Sequence, residues 1–393
     1  MKTAIVHDWL VTYGGAEHVL EQILALFPEA DLFALCDFLP AEQRHFLGGR
    51  KVTTSFIQKL PMARTKYRSY LPLMPLAVEQ FDLSGYDLVI SSSHAVAKGV
   101  ITGPDQIHIS YFNGIMTYAW NMYHQYLNKA GLRSGLKGCL ARLFLHYIRN
   151  WDVASAHRVD HFIANSGYMA RQIRKLYGRT ARIIHPPVNL EQARFSEIKE
   201  DYYITVARMV PIKRIDLIVS AFSRMPDKKL IVIGDGPELS RIKKLAADNI
   251  KFLGYQAPPV VMHYLSRARA FVFASAEPFG IATVEAQACG TPVIAYGRGG
   301  SLETVIENKT GVFFDAQEIG DLIEAVNRFE RMKDSLDPAE IREAAFRFST
   351  ERFHKEFRDH VYECIRAHAR SESEYTEAAA AGRESMKVGN YAE

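Results

Sequence analysis

Two carboxylates, Glu277 and Glu285, have seven residues between them, and a Pro-Phe-Gly turn separates the first from the helical run that carries the second. The stretch Ala276 to Ile294 reads AEPFGIATVEAQACGTPVI, with an apolar run at Ala270 to Ala274 before it and a β-prone run at Val293 to Tyr296 overlapping its end. That order predicts strand, loop, helix, strand. In such a unit the loop at the strand's carboxyl end and the amino terminus of the next helix face a ligand crevice. Glu277 is expected in that crevice, with Glu285 projecting from the first turns of the helix towards the same ligand. The spacing alone is weak, since two glutamates on a solvated helix arise constantly.

Cations stand at a second junction of the same kind. A strand at Tyr202 to Ala207 runs into Arg208-Met209-Val210-Pro211-Ile212-Lys213-Arg214 and then a helix with Ile215, Ile218, Val219 and Phe222 on its apolar side. Arg208 and Lys213 together suit a diphosphate, because fixed cations stabilise charge that develops on a leaving group. Either one alone would pass for a surface residue. Gly234 and Gly236, after the strand Leu230 to Ile233, would let a nucleotide lie close to the backbone.

The front half repeats the pattern. A strand at Lys2 to His7 ends in Asp8 and Trp9, and Gly14-Gly15 precedes a helix from about Ala16 to Leu26. Paired glycines let a substrate approach the backbone, and a plain turn would need them as well. The pattern is not GxGxxG, so dinucleotide binding is unsupported. His94 follows the strand Asp87 to Ser91, where it is either a hydrogen-bonded structural residue or a crevice residue. After Ile107 to Tyr111, the residues Phe112, Asn113, Met116, Tyr118 and Trp120 form an aromatic, polar mouth suited to stacking on a sugar face.

The EPFGIATVEAQACGTPVIA stretch resembles the donor-site signature of the family-4 retaining glycosyltransferases of the GT-B fold. The resemblance covers nearly the whole chain to about residue 366. It is strongest from Val206 to Phe314. It implies an α/β protein of two Rossmann-like, doubly wound parallel-sheet domains facing a deep cleft, with a C-terminal helix crossing back to the first domain. It further implies that Glu277 contacts the donor sugar or its leaving phosphate, that Glu285 contacts the nucleotide ribose, and that His94 hydrogen-bonds the transferred sugar. Catalytic roles are thereby expected of Glu277, His94, Arg208 and Lys213. Donor contacts are expected of Gly14, Gly15, Arg208, Lys213, Gly234, Gly236, Glu277, Phe279, Gly280, Ile281 and Glu285, and acceptor contacts of Asn113, Tyr118 and Trp120. Retention in this family is thought to proceed by same-face attack on a short-lived oxocarbenium-like centre, with the leaving phosphate helping to take the acceptor's proton.

Mannosyltransferases of polysaccharide assembly often carry His-Thr-Pro-Met-Arg-Tyr-Ala-Trp in the acceptor half. Here Asn113-Gly114-Ile115-Met116-Thr117 precedes a shared Tyr118-Ala119-Trp120. The Tyr-Ala-Trp favours that subgroup, and the missing histidine, proline and arginine leave the acceptor open. No Asp-x-Asp and no His/Asp/Glu cluster with metal spacing occurs, so the chemistry is expected to use no metal, with cationic side chains neutralising the diphosphate.

A chain of 393 residues, 48% hydrophobic and 23% charged, is long enough for two globular domains. The expected division is an N-terminal acceptor domain at 1–187, a nucleotide-sugar domain at 188–346, a returning helix at 347–369 and a mobile tail at 370–393. The double proline at 186 and 187 marks the boundary. Four widely spaced cysteines suit a reducing compartment. The net charge of +4 conceals an asymmetry: residues 1–190 hold 20 Lys+Arg and 13 Asp+Glu, so +7, and the remaining 203 hold 28 and 31, so −3. No acid falls between Glu42 and Glu79 or between Asp105 and Asp152. Leu132, Leu136, Leu140, Leu143 and Ile148 recur near helical spacing beside Lys129, Arg133, Lys137, Arg142 and Arg149, as in a basic amphipathic helix for anionic headgroups, or in a solvated helix covering the domain. No nucleic-acid module is present.

The expectation is a retaining, metal-independent hexosyltransferase without cofactor. Its donor would be a nucleotide sugar, GDP-mannose first. Its acceptor would be a lipid-linked oligosaccharide of bacterial exopolysaccharide or O-antigen synthesis. It would be cytoplasmic and peripheral on the inner face of the inner membrane, held at an anionic surface by its basic N-domain. A UDP-sugar transferase, a sugar-nucleotide epimerase or hydrolase, and a catalytically silent GT-B binding protein remain alternatives, because one fold hosts several chemistries.

Overall fold

The computed structural model describes residues 1–191 and 193–389, with side chains described to residue 370. The chain forms two compact units, one of residues 1–163, 176–182 and 354–393, the other of residues 164–175 and 183–353. The backbone therefore changes unit several times, where the double proline suggested a single boundary at 187. From His354 the last helix, Thr350–Gly389, belongs to the first unit: His354 Nε2 lies 2.9 Å from Gln22 Oε1, and the Phe357 ring packs on Phe27 and Tyr111. Its backbone stays helical to Gly389 through most of the stretch expected as a tail; residues 390–393 lie outside the described residues.

Seven strands build the first unit's sheet: β1 (Thr3–His7), β2 (Asp31–Ala34), β3 (Val52–Thr54), β4 (Leu88–Ser93), β5 (Ile107–Phe112), β6 (His161–Ala164) and β7 (Ala181–Ile183). Their order is β3-β2-β1-β4-β5-β6-β7, and β3 through β5 pair in parallel, with Ile5 set between Leu32 and Ile90. The second unit holds β8 (Tyr203–Val206), β9 (Leu230–Ile233), β10 (Ile250–Gly254), β11 (Ala270–Phe273), β12 (Val293–Tyr296) and β13 (Gly311–Phe314), ordered β10-β9-β8-β11-β12-β13 and parallel throughout.

Parallel strands need crossovers, and the crossover helices bury both faces. The side-chain alternation of the second sheet shows this directly. Tyr203, Val272 and Ile294 join one core with Ile218, Phe222, Val326 and Phe329, while their neighbours Ile204, Phe271 and Val293 join another with Met262, Leu265 and Ala286. Strands apolar on both faces are what an uninterrupted run such as Leu230 to Ile233 requires.

Each sheet reverses its strand order once, between β1 and β4 in the first unit and between β8 and β11 in the second. Loops leaving the carboxyl ends of these strand pairs diverge and open a crevice there. Close backbone approach shapes one of them: a Cβ on Gly234, at φ +133°, would stand 2.0 Å from the Ala207 carbonyl oxygen. Gly234→Ala should therefore cost about 3 kcal/mol, read as a fall in Tm. Gly320, in the helix Ile319–Met332 with open space around its Cα, is the converse case, and Gly320→Ala should stabilise by about 0.5–1 kcal/mol in the same measurement.

Candidate active site

In the second unit, the reversal of strand order brings opposite charges together. Lys213 ends the 3-10 turn Pro211–Lys213 after β8, and Glu277 lies in the loop after β11. Lys213 Nζ donates to Glu277 Oε1 at 2.5 Å, with both side chains partly exposed. Arg214, in the left-handed region at φ 51°, ends this turn and opens the helix Ile215–Phe222; its Nη1 donates to Gln317 Oε1 at 2.8 Å. Ser275 Oγ donates to the Ile212 carbonyl at 2.9 Å, so the two loops are tied a second time. Arg208 is exposed, and its guanidinium has no ion-pair or hydrogen-bond partner among the described residues.

The turn carrying Glu277 is held from behind by a second glycine loop. Gly300 N–H donates to the Glu277 carbonyl at 2.8 Å, and a Cβ on Gly299 or Gly300 would approach that turn to 2.5 Å or less. Gly280, at φ 87°, opens the helix Ile281–Ala288 with no side-chain cap, leaving its first N–H groups to a ligand or water. Glu285 is on the second turn of that helix and half-buried. Phe279 is buried, packing on His185 and Phe348 with ring centroids 5.5 and 5.2 Å away, so its side chain anchors the turn from the core. At Gly234 and Gly236 the close approach comes from the Ala207 and Met209 backbone, with Met209 N–H donating to the Asp235 carbonyl at 2.8 Å. The two glycines thus admit one loop's backbone against the other's, a steric demand that holds whether or not a nucleotide lies beside them.

The first unit has its own cluster. Asp8, fully buried just beyond β1, accepts the backbone N–H groups of His94, Ala95, Val96 and Ala97 at 2.6–3.0 Å, and His94 Nδ1 lies 3.0 Å from Asp8 Oδ2. A carboxylate can be buried where donors surround it, and here they fix the loop after β4 to the end of β1. The Trp9 ring sits edge-on to the His94 ring at 4.6 Å. Burial holds the His94 imidazole below its ordinary value against the opposing pull of Asp8. Gly14 N–H donates to Glu17 Oε2 at 3.0 Å, and Glu17 Oε1 lies 3.6 Å from His7 Nε2, so Gly14 and Gly15 start the helix Gly15–Leu26 beside a buried His–Glu pair. Burial pushes the Glu17 carboxyl up, but its hydrogen bond and charge interaction with His7 bring it below the ordinary value.

Of the acceptor candidates, Asn113 Nδ2 donates to Ser92 Oγ at 2.9 Å, and Tyr118 is half-buried, its ring 6.2 Å from that of Tyr126. Trp120 Nε1 donates to Asp152 Oδ2 at 2.8 Å, which commits its polar edge to a buried network with Lys98 and Tyr177. Sequence reading missed Asp8 as an organiser, along with His7, Glu17 and the Lys98–Asp152 pair. The available signal was a carboxylate directly after a short strand with the apolar centre Ala4-Ile5-Val6. Among the described residues no group of three or more His, Cys, Asp or Glu could hold a metal ion.

Two parallel sheets, each with a charged contact stitched across its reversal point, define a two-domain protein of Rossmann-like halves. A family model described as "Glycosyltransferase Family 4" matches residues 13–192, and one described as "Glycosyl transferases group 1" matches residues 189–347. The chain belongs to the family-4 glycosyltransferases, of GT-B fold. It is 29% identical over 195 residues to a GDP-mannose-dependent alpha-(1-6)-phosphatidylinositol monomannoside mannosyltransferase of Mycolicibacterium smegmatis, covering 41% of this chain and 50% of the relative. It is 29% identical over 214 residues to a D-inositol 3-phosphate glycosyltransferase of a Mycobacterium species, covering 47% of each. The chain spans about half the length of the curated relatives it matches. Among solved structures, sucrose-phosphate synthase from Thermosynechococcus elongatus superposes with a TM-score of 0.73 at 19% identity, covering 93% of this chain and all of the other. Anabaena HepE in complex with UDP superposes with a TM-score of 0.68 at 18% identity, covering 92% and 100%.

Two outcomes are expected. His108, wholly buried on β5, is pushed down to about 4 by burial, and His94 is held low as well. The folded chain takes up these protons less readily than the unfolded chain, which binds them below about pH 6.5, so stability is lost as pH falls, for His108 from about 6.5 towards 4. Thermal unfolding should show that loss, of a few kcal/mol for His108, with a shallower slope in His108→Gln. Lys213→Ala, which leaves Glu277 without its cation, should move Tm little because the pair is partly exposed. By calorimetry it should weaken nucleoside diphosphate binding at least about tenfold, one charge-assisted contact being worth roughly 1.5–3 kcal/mol.

Proposed function

We propose that this chain is a retaining, metal-independent hexosyltransferase that moves mannose from GDP-mannose onto a lipid-linked oligosaccharide in bacterial exopolysaccharide or O-antigen assembly. The observation that carries the reading is the loop pair at the second unit's reversal point, where Lys213 is paired to Glu277 and Arg208 is exposed with no side-chain partner among the described residues. An exposed guanidinium offers two parallel donors to a phosphate, and Lys213 adds a point charge beside it. As the bond from the sugar's anomeric carbon to phosphate oxygen breaks, the diphosphate gains charge, and these cations lower the barrier. The new bond forms from an acceptor hydroxyl on the same face, and its proton passes to the departing phosphate oxygen. Glu277, fixed by Lys213 and by Gly300 N–H, orients the donor, with Glu285 towards the ribose. His94, whose Nδ1 faces the Asp8 carboxylate, has Nε2 left to accept a hydrogen bond from a hydroxyl of the transferred sugar.

Similarity to the GDP-mannose-dependent phosphatidylinositol monomannoside mannosyltransferase of Mycolicibacterium smegmatis supports GDP-mannose and a lipid acceptor, as does the Tyr118-Ala119-Trp120 motif. Calorimetric titration with GDP, UDP and ADP, without added metal, tests the donor. GDP is expected to bind at least tenfold more tightly than the others. Preference for UDP would keep the transferase and overturn the mannose assignment, and no binding by any of the three would favour a silent binding protein.

A further inference from the structure

The helix Gly135–Ser155 carries two unlike faces. Gly138, Ile148, Asp152 and Ser155 are buried in the first unit, where Asp152 receives Lys98 Nζ at 2.8 Å and the adjoining Trp151 Nε1 donates to Glu79 Oε1 at 2.8 Å. Leu136, Leu140, Leu143, Phe144 and Tyr147 lie elsewhere on the helix, 78%, 46%, 61%, 46% and 44% exposed. At about 100° per residue these five fall within an arc of about 100°, turned roughly 120° from the buried face. A single exposed leucine is ordinary, whereas five large apolar side chains on one helix face form a contiguous patch that marks a binding surface.

Charge says what the surface binds. Between Asp105 and Asp152 the chain has Lys129, Arg133, Lys137, Arg142 and Arg149 and no acid; Lys137 is exposed beside the apolar stripe, Arg133 just before the helix, and Arg142 further round it with its Nη2 on the Arg133 carbonyl. Two-fold pairing with a second copy would set these cations against themselves, with no acid in the segment to answer them. An anionic bilayer answers both features, since an apolar stripe enters the boundary between headgroups and acyl chains while flanking cations meet the headgroups. No helix among the described residues is long and apolar enough to cross a membrane, so the contact is one of lying on the surface.

We infer that the Leu136–Tyr147 face of this helix docks the protein on anionic lipid. The inference rests on the lipid-linked-acceptor reading for its purpose, and its test needs neither nucleotide nor acceptor, so failure of either is distinguishable from failure of the other. Cys139, beside the stripe, is exposed, while Cys36, Cys289 and Cys364 are buried, so the native chain can be labelled there with an environment-sensitive fluorophore. Vesicles of phosphatidylcholine with 30% phosphatidylglycerol should shift the emission to the blue and co-sediment the protein at least about tenfold more strongly than phosphatidylcholine alone, weakening with salt. Leu143→Glu/Phe144→Glu, a change at exposed positions, should lower that partition at least about tenfold at unchanged Tm, and Lys137→Ala/Arg142→Ala should lower the preference for the anionic lipid. No shift with any vesicle, or equal partition of the Leu143→Glu/Phe144→Glu protein, would overturn the inference. So would a shift without vesicles that rises with protein concentration and a doubled mass in sedimentation, which would mean that a second copy covers the face.

Discussion

The structure depends on a single constraint met twice: where a parallel sheet reverses its strand order, the two diverging loops must be held in register by something other than the sheet. In the second unit the holders are Ser275 Oγ on the Ile212 carbonyl and Gly300 N–H on the Glu277 carbonyl, with the partly exposed Lys213–Glu277 pair bridging the loops above them. In the first it is Asp8, whose carboxylate gathers four consecutive backbone N–H groups from the loop after β4. The two solutions differ in exposure, and the difference has consequences. Asp8 is sealed and serves as a fixed anchor, so His94 inherits its position from the fold. Lys213 and Glu277 remain reachable by solvent, so an incoming anion can share the lysine without burying an unpaired carboxylate.

Glycine does the steric part of the same work. Gly299 and Gly300 admit the Glu277 turn against their own backbone, and Gly234 and Gly236 admit the Ala207 to Met209 segment. None of these four could carry a side chain without moving a neighbouring carbonyl or Cα. The positions of Arg208 and Glu277 are therefore set by main chain packed on main chain, a stiffer support than side-chain contacts alone.

Much of this was legible in the sequence, for identifiable reasons. The central strands are apolar on both faces, so Leu230 to Ile233 and Ala270 to Phe273 stand out as runs bounded by glycine or proline turns. Arg208, Lys213 and Glu277 were legible because each lies in the loop that follows a strand of this kind. The edge strands were not: β3 and β7 are three residues each and only partly buried, so Val52–Thr54 and Ala181–Ile183 carry no apolar signature. Phe279 looked like part of a donor motif and proved to be the turn's hydrophobic anchor, since motif membership does not tell which way a side chain points. Asp8 was passed over because its partners are backbone amides 86 to 89 residues away, a contact that leaves no mark on local composition. The domain boundary was blurred for a similar reason, because Ala164–Lys175 and the segment from His354 change unit through long-range packing.

The central claim is that the charge pair at the second reversal point is the chemical centre and not merely a clasp. It is tested most directly by release of GDP from GDP-mannose, with a bacterial membrane extract as the source of acceptor, comparing the native chain with Glu277→Gln. The account predicts that the variant keeps its Tm and its affinity for GDP within about threefold and loses at least about a hundredfold in turnover, the scale seen when a preorganised polar group is removed from a reaction centre. Turnover by Glu277→Gln at the native rate would contradict it and leave the Lys213–Glu277 pair a structural tie.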